Sequence, residues 1–172
     1  MVRGKKTKAA VLILGAVIIA VSCVQWLAGI DVRDLGTTLG SPLSTRMTYH
    51  FFHASVLHAV LNVWCLLSLA FFYHVTATEL VLSYCIASLY PVGWMHDVLG
   101  ATAVPTVGLS AVCFALMGMV TYRVVRKRYY TACIVTLIGI GFLMPNVNAV
   151  IHLYAYLAAL LVGLFTEPLL KR

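Results

Sequence analysis

Apolar runs of helix length follow one another along almost the whole chain, and they limit the folds that it can adopt. Six such runs, separated by short polar or charged segments, lie at about 9–30, 49–73, 78–94, 107–122, 130–144 and 148–165. A helix crosses the hydrocarbon core of a bilayer with about 20 apolar residues. The pattern therefore predicts an all-α membrane protein in which six transmembrane helices form one bundle.

Composition agrees with a membrane protein and excludes the ordinary soluble classes. The 172 residues are 62% hydrophobic and 10% charged, whereas soluble domains are about 45–50% apolar and about 25% charged. The first run is too long for the core of a signal peptide and shows no clear cleavage site, so we interpret it as a span.

Basic side chains lie between the runs, where such residues set the orientation of membrane spans. This placement accounts for the net charge of +7 and speaks against nucleic acid as a partner. If the short basic tail 1–8 is inside, the inner segments carry ten Lys and Arg residues and the outer segments carry two, Arg33 and Arg46. We therefore expect both termini in the cytoplasm.

The cysteines do not form a recognisable metal or disulfide motif. One lies in each of the first five runs: Cys23, Cys65, Cys85, Cys113 and Cys133. No CxxC pair occurs, which favours buried apolar thiols over disulfides or metal ligands. No HExxH or comparable ligand set occurs either, so we expect neither a metal nor an organic cofactor.

Three of the runs carry polar side chains near their outer ends. With the N-terminus inside, the second, fourth and sixth runs all descend from the outer face. Their polar residues are His53, His58, Asn62, Ser110 and His152. At about 1.5 Å per helical residue, these groups come to similar depths. Because polar groups inside a bilayer are costly, the convergence indicates a functional site.

Small residues predict that the fourth and sixth runs pack together. Each run carries a stripe of them, namely Ala111, Ala115 and Gly118 in the fourth and Ala155, Ala159 and Gly163 in the sixth. Such stripes allow membrane helices to approach closely. Packing one stripe against the other would bring His152 beside Ser110.

A serine hydroxyl beside an imidazole is the arrangement of a nucleophile with its general base. No acidic residue lies at the outer ends of these runs to orient the histidine, so we predict a Ser–His dyad rather than a triad. Phe114 lies one turn after Ser110 and could stack on the imidazole of His152. Taken alone, Ser110 would be read as a packing residue that bonds its own helix backbone.

The second run offers donors for the oxyanion that acyl transfer generates. His58 and Asn62 are four residues apart and share a helix face, and the backbone N–H of Ser110 could join them. Alternatively, these two side chains form an interhelical hydrogen bond that only holds the bundle together. His53 would point about 140° away from His58 on an ideal helix, so we expect it to bond the polar stretch 31–46 instead.

The remaining histidines lie near the ends of runs. They are His50, His74 and His96. We interpret them as residues of the membrane interface. The basic segment 123–128 is interpreted as a topology anchor.

The order and spacing of the polar residues resemble those of the rhomboid family of intramembrane serine proteases. The matching motifs are His53-x4-His58-x3-Asn62 in the second run, Gly108-x-Ser110 at the start of the fourth, and His152 in the sixth. The resemblance covers all six runs. It implies a single rhomboid-like transmembrane domain over 1–172, with a water-filled cavity open to the outer face.

The resemblance also implies a role for each of these residues. Ser110 would be the nucleophile and His152 the base, while His58, Asn62 and the Ser110 amide would bind the oxyanion. His53, Gly108 and Phe114 would support the site. The activity implied is endoproteolysis of other proteins' transmembrane segments near their outer ends, without a cofactor.

Substrates of such an enzyme must unwind before the serine reaches a peptide carbonyl, because helical carbonyls are hydrogen-bonded and shielded. We therefore expect substrates with Gly, Pro or small residues near the scissile bond. The partners would be the lipid bilayer and these membrane proteins. The pattern fits a multi-pass protein of a bacterial inner membrane, with the site open to the extracytoplasmic side.

Several positions depart from the family's pattern. Ala111 stands where a glycine usually follows the serine, and its methyl group could crowd a substrate carbonyl. Phe114 replaces a common tyrosine, and Ala155 and Ala159 replace glycines. An alternative is therefore a catalytically weak or inactive rhomboid-like protein that binds transmembrane clients. A solute transporter is disfavoured, since internal repeats and intramembrane acids are lacking.

Overall fold

The computed structural model of the protein describes residues 2–91 and 105–170. In these ranges the chain forms seven α-helices: α1 (Val2–Leu27), α2 (Leu43–Thr48), α3 (Val56–Phe72), α4 (Ala77–Ser88), α5 (Ser110–Val120), α6 (Lys127–Leu143) and α7 (Ala149–Leu170). Two 3₁₀ helices cover Val32–Asp34 and Tyr49–Phe51. Within the described ranges, β-type pairing is limited to one isolated antiparallel bridge, between Thr37 and Thr106.

The first helix begins earlier than the sequence predicts. α1 starts at Val2, so the basic residues that we expected to form a tail over 1–8 belong to its first turns. Lysine and arginine are good helix formers, and nothing breaks the helix between them and the apolar run. The helix ends before Gly29, whose φ of +65° is typical of a residue that follows a helix C-terminus.

The predicted second span over 49–73 is not one continuous helix. Its first residues form the 3₁₀ helix Tyr49–Phe51, which follows α2, and α3 begins only at Val56. The two helical segments meet at an angle of 88°. Ser55 caps α3, because its Oγ accepts a hydrogen bond from the backbone N–H of His58 at 3.1 Å. His53 therefore lies in the break and not on the helix.

The helix formed by the third run ends before the predicted position. The helix α4 starts with a capping box, in which Thr76 and Glu79 satisfy each other's backbone N–H groups. It ends at Ser88. The predicted end of this run at Trp94, and the loop residues His96 and Asp97, lie outside the described residues.

The helix α5 lies at the centre of the bundle. Nine of its eleven residues are buried, and it contacts α3, α4 and α7. A Cβ atom added at Gly118 would lie 2.5 Å from the Tyr156 carbonyl oxygen and 3.0 Å from the Ala159 Cβ. The close packing of the fourth run against the sixth, predicted from their small residues, is therefore confirmed.

Few of the helices are long enough to cross a membrane alone. Two described stretches, Lys6–Leu27 and Ala149–Thr166, are sufficiently long and apolar, and the bent pair Leu43–Phe51 and Val56–Phe72 would add a third crossing. Helices of 11 and 12 residues, such as α5 and α4, reach only about 16–18 Å at 1.5 Å per residue. The structure is thus a helical membrane bundle in which short helices pack beside two long ones.

Candidate active site

The turn that leads into α5 places Ser110 as the first residue of that helix. Gly108 has a φ of +110°, a conformation that glycine adopts readily and other residues avoid. The backbone N–H of Gly108 donates to the Tyr49 carbonyl oxygen at 3.1 Å. The next N–H, of Leu109, donates to Nε2 of His53 at 3.2 Å. The two residues before Ser110 are therefore each fixed by a hydrogen bond from their backbone N–H.

The side chains of Ser110 and His152 meet as the sequence predicts. Nε2 of His152 lies 2.8 Å from Oγ of Ser110. His152 occupies the first turn of α7, directly across the seam of small residues from α5. The start of α7 is capped by Asn148, whose Oδ1 accepts a hydrogen bond from the Ile151 N–H at 3.3 Å.

The predicted stacking of Phe114 on His152 is also present. Their ring centroids are 4.4 Å apart, with an angle of 20° between the planes. The contact restricts the plane of the imidazole, so that Nε2 points to Ser110. Among the described residues, Ser110 provides the hydrogen bond to this ring, and no acidic side chain does.

His58 and Asn62 converge on the same backbone position. A Cβ atom at Gly108 would lie 2.8 Å from Cε1 of His58 and 3.4 Å from Nδ2 of Asn62. Asn62 is buried, and its Nδ2 has no hydrogen-bond partner in the described part of the chain. A buried donor without a partner is costly, so this amide is available to a group that enters beside Gly108.

The predicted hydrogen-bond partner of the His53 side chain is wrong. We expected a bond to the stretch 31–46, but the imidazole contacts Ser22 in α1, with Nδ1 3.4 Å from its Oγ. Gln25, also in α1, receives the His53 N–H at 3.3 Å and donates to the His53 carbonyl at 3.0 Å. The break before α3 turns His53 toward α1, which an uninterrupted helix would not do.

His53 nevertheless belongs to the site through two contacts. It accepts the Leu109 N–H, as described above, and its ring meets that of His58 edge-on at 5.1 Å between centroids. It therefore supports both the turn before the serine and one of the two predicted oxyanion donors.

The interpretation of His50 as an interface residue is also wrong. Its side chain is fully buried, Nε2 lies 2.9 Å from Oγ of Ser88, and the ring packs against Tyr49 and Tyr84. The 3₁₀ turn places it against α4 instead of leaving it at the membrane surface. His74 is exposed, with a φ of 52°.

Two polar residues of the site region were missed by the sequence analysis. Gln25 and Asn148 each make two hydrogen bonds there. Asn148 Nδ2 donates to Oγ1 of Thr106 at 2.8 Å, and Thr106 pairs with Thr37 through both backbone groups. An asparagine directly before an apolar run is an N-cap signal, so Asn148 could have been found. Gln25 carries no comparable signal.

Ala111, the residue after the serine, is buried in the bundle and is only 1% exposed. The five cysteines are free thiols. Among the described residues there is no group of three side chains able to ligate a metal ion. The arrangement supplies a hydroxyl, a base and an unused amide donor, which are the groups required for acyl transfer.

The chain matches the model of a known protein family. Residues 41–172 match the model of the Rhomboid domain, a span that includes Ser110, His152, His58 and Asn62. No curated protein sequence matches the chain. Together with the long apolar helices, the domain match makes this an integral, multi-pass protein of the lipid bilayer. The chain belongs to the rhomboid family.

Proposed function

We propose that this protein is an intramembrane serine endopeptidase that uses Ser110 as nucleophile and His152 as base. The observation that carries the proposal is the 2.8 Å contact between Ser110 Oγ and His152 Nε2, on an imidazole stacked against Phe114. Rhomboid domains generally form intramembrane serine proteases, although some members are inactive.

The reaction follows from these positions. Nε2 of His152 takes the hydroxyl proton as Ser110 Oγ attacks the peptide carbonyl, and then gives the proton to the leaving amine. The resulting ester on Ser110 is hydrolysed by water, again with His152 as base. The carbonyl oxygen becomes negative during each attack and would accept hydrogen bonds from Nδ2 of Asn62 and from His58.

The backbone of Ser110 supplies a third donor for that oxygen. Ser110 is the first residue of α5, and the first N–H groups of a helix have no partner within the helix. The N-terminus of α5 is also the positive end of its helix dipole, which favours negative charge there.

The substrates would be membrane proteins whose transmembrane segments unwind near one end. A helical segment presents its carbonyls to its own N–H groups, and Ser110 reaches a carbonyl only when that bonding is broken. Gly, Pro and small residues near the scissile bond lower the cost of unwinding.

The proposed topology has six spans in a single domain over 1–172, with both termini in the cytoplasm. The helices α1, α3, α4, α5, α6 and α7 would be the spans. The charge distribution supports this orientation, which opens the site to the extracytoplasmic side. A bacterial inner membrane is the location that the pattern fits.

The nucleophile is tested with the substitution Ser110→Ala in the full chain in liposomes. We expect cleavage of a helical test substrate, and labelling by a fluorophosphonate probe, to be lost. Ser83→Ala is the control, since Ser83 is a buried serine whose hydroxyl has no partner in the described ranges. Cleavage that survives Ser110→Ala would contradict the assignment.

The same probe separates the enzyme from a client-binding relative. Labelling that requires both Ser110 and His152 supports catalysis. Absence of labelling in folded wild-type protein would favour the binding protein.

A further inference from the structure

An apolar cavity lies behind the serine, on the side of α5 that faces away from His152. Its volume is about 200 Å³. The walls combine side chains of three helices and of the 3₁₀ turn Tyr49–Phe51. They are Leu14 of α1, His50 and Phe51 of the turn, Leu80, Val81 and Tyr84 of α4, and Leu109 and Val112 at the start of α5. Two of these residues flank Ser110 in the chain, so the cavity adjoins the turn that carries the proposed nucleophile.

The lining residues come from α1, α4, α5 and the 3₁₀ turn Tyr49–Phe51, and Ser110, His152, His58 and Asn62 are not among them. Val81 lines it and is also 59% exposed on the outer surface of the bundle. Leu109 and Val112 form the back wall and are 3% and 2% exposed. We infer that the cavity opens to the lipid-facing surface at Val81 and that its back wall lies at Leu109 and Val112.

The walls present no polar atoms to the interior. Tyr84, which also lines the cavity, turns its hydroxyl away to donate to the Met47 carbonyl oxygen. Apolar cavities of about 150 Å³ stay free of water and take up small apolar molecules. The occupant must be apolar and must arrive from the membrane.

We propose that this cavity binds one acyl chain of a membrane phospholipid. The bilayer brings such chains to the exposed face of Val81, and the cavity exposes no polar surface that could bind a headgroup or a peptide backbone. A bound chain would pack against Leu109 and Val112 and so brace the start of α5. The inference goes beyond proteolysis and does not rest on it.

The test uses the full chain in nanodiscs that contain a phospholipid with a diazirine in the middle of one acyl chain. After illumination, the adducts are mapped by mass spectrometry. We expect adducts on Leu109 and Val112, in addition to those on exposed lipid-facing residues. Since these two side chains are almost inaccessible from the surface, the adducts require a chain inside the cavity.

Two substitutions make the test specific. Val81→Phe narrows the mouth and should abolish the adducts on Leu109 and Val112. Val135→Phe is the matched control, since Val135 on α6 is similarly exposed, at 58%, and is not among the residues that line the cavity. It should leave those adducts unchanged. Neither site is in the core, so both variants are expected to fold.

Other outcomes would overturn the proposal. One is wild-type labelling confined to exposed residues. Another is labelling of the back wall that Val81→Phe does not reduce. A third is labelling of Leu109 and Val112 by a single-span peptide that carries a photoreactive leucine, without labelling by the lipid. That last result would assign the cavity to a side chain of a transmembrane client.

Discussion

Gly108 has two separate reasons to be glycine, one conformational and one steric. Its φ of +110° strains any residue with a Cβ, and that Cβ would meet His58 at 2.8 Å. At Gly108 the turn before the serine touches the predicted oxyanion donors His58 and Asn62. A change at this residue therefore acts on the site and on the fold together.

We predict that Gly108→Ala destabilises the protein by about 1–3 kcal/mol and displaces His58, with loss of cleavage. Thermal unfolding in detergent and the cleavage rate measure the two effects. Gly40→Ala is the control, because Gly40 also has a positive φ, of 84°, but nothing lies within 4 Å of its added Cβ. Full activity in Gly108→Ala would show that the approach of His58 and Asn62 is not needed.

Asn62 presents a buried amide donor with no partner among the described residues. If it binds the oxyanion, Asn62→Ala should lower kcat by about 10²–10³-fold and change KM little. Leu61→Ala is the control on the same helix, since Leu61 is exposed toward lipid. A variant with normal kcat and raised KM would assign Asn62 to substrate binding instead.

The seam between α5 and α7 holds the serine and the histidine at a fixed separation. Its tightest point is Gly118, where there is no room for a methyl group against the Tyr156 carbonyl oxygen. The Ser110–His152 contact lies about two turns away along the same pair of helices. A shift of one helix against the other would therefore change the separation of Ser110 and His152.

We predict that Gly118→Ala destabilises the bundle by about 1–3 kcal/mol and lowers the cleavage rate, although Gly118 touches neither reacting group. Chemical unfolding and the cleavage assay check this. Gly139→Ala in α6 is the control, because an added Cβ there meets nothing within 4 Å. Equal stability of the two variants would contradict the role of the seam.

A second contact between elements was not foreseen. Glu79 caps α4 and forms an ion pair with Arg123, just beyond the end of α5. Glu79 is buried, and a buried acid of this kind is retained only with a partner. The sequence analysis treated Arg123 as part of a topology anchor, because charge counting says nothing about which acid a given base meets.

At the scale of the whole molecule, the polar site and the basic segments lie at opposite ends of the short central helix. Ser110 begins α5, and Arg123 follows its end. If the site opens to the extracytoplasmic side, the loop between α6 and α7 must lie outside and the loop between α5 and α6 inside.

We predict that a membrane-impermeant maleimide labels Asn146→Cys in intact cells, and labels Lys127→Cys only after permeabilisation. Both positions are exposed in the structure, so they form a matched pair, and the native chain gives the background from its own thiols. The reverse pattern would invert the proposed orientation.

The sequence alone determined that the chain is a membrane bundle, and it identified Ser110, His152 and Phe114 as neighbours. This was possible because apolar length and helical spacing are local properties, and stripes of small residues indicate which helices meet. His58 and Asn62 followed from the same periodicity, since α3 is regular from Val56 onward.

Only the tertiary structure decided the positions of His50, His53 and Gln25, together with the cavity behind Ser110. These depend on the break over 52–55 and on where α1 packs against it. Helical periodicity cannot be extended through such a break, because the 88° bend replaces one helix axis with another. The partners of these residues are set by packing between segments distant in the chain, which no local pattern records.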